Sequence, residues 1–342
     1  MIRASRSPAP ERPPGNAMRP FRLFVLVCAF VLLAAPGGRP AAAEGYPARP
    51  VKILVPFAPG GGTDLISRAL ADIIATDWKA AVVIENRPGG GTTIASMAAL
   101  GAAPDGYTML AASNSFLVSP MIMPTAPYQW DRDFTGVSLF AVSPHILVVN
   151  PSVPARTLPE FIAWTRTQNG KASFASFGSG SSNHLGFEVL KRKLGIEITH
   201  VPYKGSAPAM NDLVAGHVNA TLGDLQNVSE QLKGGTLRAI AVANETRLPS
   251  MPDVPTLNEL GITGFTSKSW FGASARKDTP PDIVKKWSDA FTSALKMPVV
   301  QQRLGGLGLE LVGSTPAQMQ VFLAEEDAKA AAAVKLSGAK IE

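Results

Sequence analysis

The chain has 342 residues, 17% of them charged and 46% apolar, which excludes a disordered chain and leaves room for two domains with cores of their own. Its formal net charge of +6 is carried by the N-terminus: residues 1–43 hold six arginines and one acid, Glu11, and the remainder has 26 bases against 25 acids. No basic domain is left for nucleic acid to find, and the only cysteine, Cys28, lies in the same N-terminal stretch, so disulfides, thiol nucleophiles and cysteine metal sites are excluded from the rest.

In chain order, Met1 to Ala17 is rich in Pro and Arg and has no apolar period. Met18-Arg19-Pro20-Phe21-Arg22 gives a basic start, and Leu23 to Ala35 is an apolar run of 13 residues, too short to span a bilayer. Ala41-Ala42-Ala43 then supplies a cleavage site. Residues 1–43 therefore read as a secretory signal peptide cleaved near Ala43, with Met18 as the start the residues favour; an uncleaved anchor is the alternative. Val25-Leu26-Val27 lacks the small residues that lipid attachment at Cys28 would need.

From Val51 onward strands and helices alternate. Val51–Phe57 is a strand, Asp64–Thr76 a helix with Leu65, Ile66, Ala69, Leu70, Ile73 and Ile74 on one face, and Val82–Asn86 a strand. Thr92 or Thr93 caps the next helix, and Pro104-Asp105-Gly106 turns into strand Tyr107–Ala112. This βαβαβ run implies a parallel sheet covered by helices. Ser113 to Val137 reads as long and irregular. A second series follows: strand His145–Asn150, a helix opened by the capping box Thr157–Glu160, strand Ala172–Phe177, helix Ser182–Leu194, strand Glu197–Pro202, a helix ended by Gly216, strand Val218–Leu222, a helix to about Lys233 and strand Leu237–Ala243. Arg247–Gly264 is loop-rich, Trp270–Ala275 a strand, and the rest helical, with starts at Thr279–Asp282 and Thr315–Gln318. The expected fold is α/β with two lobes: residues 44–147 plus 266–342, and residues 148–265, joined by two hinge crossovers.

Two segments share one design. Gly60-Gly61-Gly62-Thr63-Asp64 and Gly178-Ser179-Gly180-Ser181-Ser182-Asn183-His184 each join a strand to a helix N-terminus, where unpaired N–H groups and the helix dipole suit an anion. The glycine loop lacks the Walker lysine, which disfavours nucleotides, and a bare strand–helix connection is its bland reading. Asp64 would repel an anion, so it is expected to cap the helix N–H groups. Ser179, Ser181 and Ser182 add hydroxyls. His184 is a binding or packing residue, since no G-x-S-x-G surrounds Ser182 and residues two apart do not face each other on a helix. The histidines 145, 184, 200 and 217 fall in separate elements without metal spacing, so no metal and no cofactor is expected. Lys204 is equally an anion contact or a solvated charge, and Asp224 either lines a site at a strand's C-terminal end or caps the next helix.

Val55-Pro56-Phe57-Ala58-Pro59-Gly60-Gly61-Gly62-Thr63-Asp64 resembles the opening motif of the Bug-type proteins, the periplasmic substrate-binding components of tripartite tricarboxylate transporters. Similar motifs recur at Glu85–Gly89, Pro104–Thr108, His200–Gly205 and Pro252–Thr256. The resemblance implies a type II periplasmic-binding-protein (Venus-flytrap) fold, a periplasmic location, no enzyme activity, and a small carboxylate ligand: a di- or tricarboxylate, an acidic amino acid or an aromatic acid. It implies ligand-binding positions at Phe57, Pro59, Gly60, Gly61, Gly62 and Thr63 on one side, and at Ser179, Ser181, Ser182 and His184 on the other. Ser113 and Asn114 match a further pocket loop, and Tyr203, Lys204 and Asp224 match pocket-edge positions. The chain departs from the family pattern at Leu222-Gly223-Asp224 and in its Ala-rich last helix. The partners expected are membrane transporter subunits or a sensor, with the chain acting as a monomer and binding no nucleic acid. An exported α/β enzyme is the alternative; it would need a nucleophile–base pair, and none is visible.

Overall fold

The computed structural model describes residues 45–123 and 126–338; the signal segment with Cys28 and Ala43 lies outside the described residues. Strand β1 (Val51–Val55) leads through helix α1 (Gly62–Trp78) to β2 (Val82–Asn86), and helix α2 (Thr93–Leu100) leads to β3 (Thr108–Ala112). β1 pairs in parallel with both β2 and β3, as the βαβαβ pattern requires. Thr92 occupies the N-cap of α2 but makes no side-chain cap, because its backbone sits at φ 82° and not in the extended region from which a cap accepts.

Most of the described residues in the segment expected to be irregular form regular elements. The segment holds helix α3 (Asn114–Ile122), a helical turn at Trp130–Asp133, and the start of strand β4 (Phe134–Val149). α3 buries Ser115, Phe116, Leu117, Val118, Ser119 and Ile122, so it is enclosed nearly all round and carries no apolar stripe. The chain continues through α4 (Leu158–Thr167), β5 (Ser173–Ser176), α5 (Ser182–Leu194), β6 (Thr199–Pro202), α6 (Ser206–Ala215), β7 (Ala220–Asp224), α7 (Leu225–Lys233) and β8 (Arg238–Val242). After a loop come β9 (Lys268–Arg276), α8 (Pro281–Lys296), β10 (Glu310–Leu311) and α9 (Pro316–Ser337). Both predicted capping boxes form, at Thr157 and Thr315.

β4 carries the organisation of the molecule. Up to Pro144 it lies antiparallel to β9, which in turn pairs with β3, with β10 on the other edge of β4. From His145 onward the same strand pairs with β7 and β8, and β7 continues into β5 and β6. One strand thus serves two curled halves of a ten-stranded sheet, and the chain changes halves at residues 143–146 and again at 265–268. The first half has its core around Val55, Ile66, Phe140, Trp287 and Phe291. The second is built around Leu147, Phe161, Phe174, Phe187 and Leu222. The two-lobed α/β fold of a periplasmic binding protein is what these pairings build. α9 lies against β4 and α3 of the first half and also against α5 of the second, where the Arg192 guanidinium donates to Ser337 O at 2.8 Å. Among the described residues no helix is long and apolar enough to cross a membrane.

Candidate functional site

The glycine loop begins where β1 ends. Gly60 sits at φ 87°, a conformation an L side chain rarely adopts, and turns the chain so that Gly61 becomes the N-cap of α1. No side chain caps this terminus. Asp64, the third residue of the helix, does not cover its N–H groups as expected: it turns back, accepting from Gly60 N–H at 3.0 Å, Asn86 Nδ2 at 2.8 Å and the Arg68 guanidinium at 3.0–3.1 Å. Arg68 lies one turn along the same helix, so the carboxylate is neutralised away from the loop. Burial would raise the Asp64 carboxyl, but Arg68, Gly60 N–H and Asn86 outweigh it and hold it below the usual carboxylate range. The start of α1 therefore keeps its free amides, and the Asp64 charge is paired with Arg68.

The serine loop is held differently. Ser181 is the N-cap of α5: its Oγ accepts from His184 N–H at 3.4 Å and stands 2.6 Å from both Gly178 O and Asn183 Oδ1. His184 faces inward. Its Nδ1 accepts from Gly180 N–H at 3.1 Å, and its ring stacks on His200 with centroids 3.9 Å apart. Burial, with Lys191 near, pulls the His184 imidazole down to about 4; burial, then His184 and Lys191, pulls His200 down to about 3. Both rings are neutral at neutral pH, and the pair supports the loop from below.

The two loops meet across one cavity. Of the residues singled out from sequence, Phe57, Gly61, Gly62, Thr63, Ser113, Asn114, Ser181, Ser182 and Asp224 line it. Ser179, Tyr203 and Lys204 line an adjoining cavity that shares Phe57, Ser115 and Phe177 with the first. Pro59, Gly60 and His184 line neither. The Tyr203 hydroxyl donates to Asp212 at 2.6 Å, and burial, then Asp212, pushes it up to about 12. Sequence reasoning missed Ser206 and the β9 residues Ser269, Trp270 and Phe271, which complete the first cavity.

The halves touch at the mouth of the cleft. Ala58 N–H donates to Lys204 O at 2.9 Å. A Cβ on Gly61 would stand 2.7 Å from Ser206 Oγ, and one on Gly62 would stand 2.7 Å from Gln226 Nε2. Glycine at these two positions leaves room for Ser206 and Gln226 of the second half.

The floor is built on the strand that joins the halves. His145 of β4 and Asp224 of β7 are register partners, both almost completely buried. His145 Nε2 is 3.2 Å from Asp224 Oδ1, 3.0 Å from Ser269 Oγ and 3.5 Å from Ser182 Oγ; its Nδ1 is 2.8 Å from Ser267 Oγ. A hydrolase triad needs the acid on one ring nitrogen and the serine on the other. Here acid and serine crowd the same nitrogen, so the constellation is not arranged to relay a proton from Ser182. Asp224 is the N-cap residue of α7 but makes no side-chain cap; its Oδ2 accepts from Asn227 Nδ2 at 3.2 Å. Among the described residues no group of three or more His, Asp or Glu could hold a metal ion.

The sequence model described as the tripartite tricarboxylate transporter family receptor matches residues 66–338. Protein BugT of Bordetella pertussis is 36% identical over 323 residues, covering 94% of this chain and 99% of BugT. The solved periplasmic binding protein BugD is 32% identical with a TM-score of 0.82, covering 87% of this chain and 100% of BugD. A protein of R. palustris solved with adipate is 32% identical, also with a TM-score of 0.82, and covers 86% of this chain and 100% of its own.

Proposed function

The chain belongs to the tripartite tricarboxylate transporter receptor family, the Bug-type solute-binding proteins, and we propose that it captures a small organic carboxylate between its two lobes in the periplasm and delivers it to a membrane transporter. The observation that carries this reading is the single cavity lined by Gly61, Gly62 and Thr63 from one side and by Ser181 and Ser182 from the other. Each loop sits at a helix N-terminus, whose amides and dipole favour an anion by roughly 0.3–1 kcal/mol, more when buried. The adipate bound in the R. palustris relative supports a carboxylate as the ligand class. The lobes are residues 44–147 with 266–342, and 148–265; the change of sheet partners along β4 supports that division.

A binding protein of this kind performs no chemistry, and the crowding of Ser182 and Asp224 on one nitrogen of His145 favours that over the enzyme alternative. The export signal read in residues 1–43 and the periplasmic description of BugD support the location. A thermal-shift screen of the processed protein against small carboxylates tests the reading: stabilisation that grows with ligand concentration is expected, and no response to any acid at millimolar concentration would sink it. Deleting the gene and measuring uptake of the hit acid separates delivery to a transporter, where uptake is lost, from presentation to a sensor, where only induction is lost.

A further inference from the structure

Four rings stack in one column beneath the serine loop. Phe187 lies on Phe174 with centroids 4.0 Å apart, Phe174 on His200 at 5.0 Å, and His200 on His184 at 3.9 Å. The column ends on the backbone of the loop. Gly180 N–H donates to His184 Nδ1 at 3.1 Å. Gly178 N–H donates to Ser176 Oγ at 3.3 Å, and that oxygen stands 2.6 Å from His200 Nε2. Both glycines have positive φ, 141° at Gly178 and 78° at Gly180, and both rest on the histidine pair. His184 Nδ1 has to be unprotonated for this, since an imidazolium has no acceptor to offer Gly180 N–H.

The first half covers the same place. A Cβ on Gly180 would stand 3.1 Å from both Val118 Cγ1 and Ile122 Cδ1 of α3, and Leu185, next to His184, packs with those two residues. The contact with α3 exists only when the halves are closed, so closure seals the loop and the His184 ring, 4% exposed, from water. An unmet Gly180 N–H or a charged ring is solvated in the open form and costly in the closed one. The neighbouring charges give no relief. Lys191 of α5, paired with Glu188 at 3.2 Å, is a like charge for both rings. β5, β6 and α3 carry no Asp, Glu, Lys or Arg; Asp224 of β7 is engaged by His145, and Glu326 of α9 by Lys329.

We propose that His184 and His200 are positioning residues that hold the serine loop in its closed, binding shape only as neutral rings, so that ligand capture releases a proton and acid drives the ligand out. The inference rests on the carboxylate reading above and adds what governs release. The rings take protons more readily in the open form. Affinity is therefore full above about pH 6.5, the ordinary imidazole value, and falls as pH drops towards the depressed values of the closed form. Two charges 3.9 Å apart repel, so one ring of the pair titrates.

The test uses the processed protein and the tightest binder among adipate, malate, citrate, glutamate and benzoate. Calorimetric titration near pH 5.5, in two buffers of different ionisation enthalpy, counts the protons released on binding beyond those the acid itself gives up; about one is expected. Affinity near pH 5 should be about tenfold or more below that near pH 7.5. His184→Asn with His200→Gln keeps both acceptors without a titrating ring. With an unchanged circular dichroism spectrum, this double variant should bind at neutral pH and lose the excess proton. His184→Phe keeps the stack but not the acceptor, and should bind about tenfold more weakly at neutral pH. If no proton is released beyond the acid's own, the proposal is overturned while the carboxylate reading survives. If none of these acids binds, both fall. The proton count needs no variant, so a misfolded variant does not rescue the idea.

Discussion

Adding one methyl group at Gly61 is the sharpest probe of closure. The residue sits at φ −84°, which alanine adopts without strain, so the effect of Gly61→Ala is steric. The new Cβ would lie 2.7 Å from Ser206 Oγ, some 0.7 Å inside ordinary contact, while its other neighbours, Ser206 N and Ala58 O, are at 3.7 and 3.9 Å. Ser206 belongs to the opposite half, so the clash exists only when the halves are closed. Overpacking of this kind costs about 1–3 kcal/mol, which lowers ligand affinity by about 5- to 150-fold. Losing glycine at the N-cap also costs about 0.5–1 kcal/mol of stability, and that loss appears in the free protein. Calorimetric titration with the best carboxylate gives the affinity, and thermal melting of the free protein gives the stability. Ser206→Gly removes the Oγ, so the double variant should recover most of the affinity and none of the melting temperature. Near-normal affinity in Gly61→Ala, or a loss that Ser206→Gly leaves untouched, would refute the steric account.

Three further outcomes follow from the same geometry. Because the His184 and His200 pKa values are depressed in the folded protein, to about 4 and about 3, the unfolded chain binds more protons as pH falls below about 6.5. Stability is therefore full above that pH and declines towards pH 4; melting scans should show it, and His184→Phe with His200→Phe should flatten the slope over that window. Ser181→Ala removes the cap of α5 and the hydroxyl against Gly178 O and Asn183, and should lower stability by about 1 kcal/mol in urea titration while weakening ligand binding. Trp287→Phe replaces a fully buried indole whose Nε1 donates to Tyr46 Oη at 2.6 Å and Gly106 O at 2.9 Å; it should cost about 2–3 kcal/mol of stability and leave affinity unchanged, since Trp287 does not line the cavity.

Sequence reading succeeds here where the information is local. β1, α1 and the glycine loop, and likewise β5, α5 and the serine loop, declare themselves through an apolar run, a small-residue loop and a helical period within some 25 residues. α3 failed to declare itself because burial on nearly all sides erases the stripe and Pro120 lies inside it. The first part of β4 is buried on both faces and interrupted by Gly136, Ser138 and Pro144, so it lacks the alternation that marks a strand. Asp64 was placed in the right turn with the wrong partner; Arg68 four residues on was the available clue. The floor of the cavity was beyond reach. His145 meets Ser267 and Ser269 over separations of 122 and 124 residues, and only the pairing of β4 with β9 and β7 brings them together.

The contacts across the cleft mouth suit a protein that must also open. Ala58 N–H to Lys204 O is a backbone hydrogen bond, of net worth about 1 kcal/mol, and Gly61 against Ser206 and Gly205 against Ala58 are contacts of small residues with little apolar area. Closure on such contacts alone is nearly balanced by the ordering it requires. A ligand shifts that balance only by what it gains in the closed form over the open one. In the proposed site that gain comes from both halves: the amides of α1 face the cavity from one, and the start of α5 with Ser182 faces it from the other. An acid that engages one loop gains nothing from closure, whereas one that spans both converts its hydrogen bonds directly into the closed population. Selectivity in this fold therefore follows from whether the ligand reaches both halves at once.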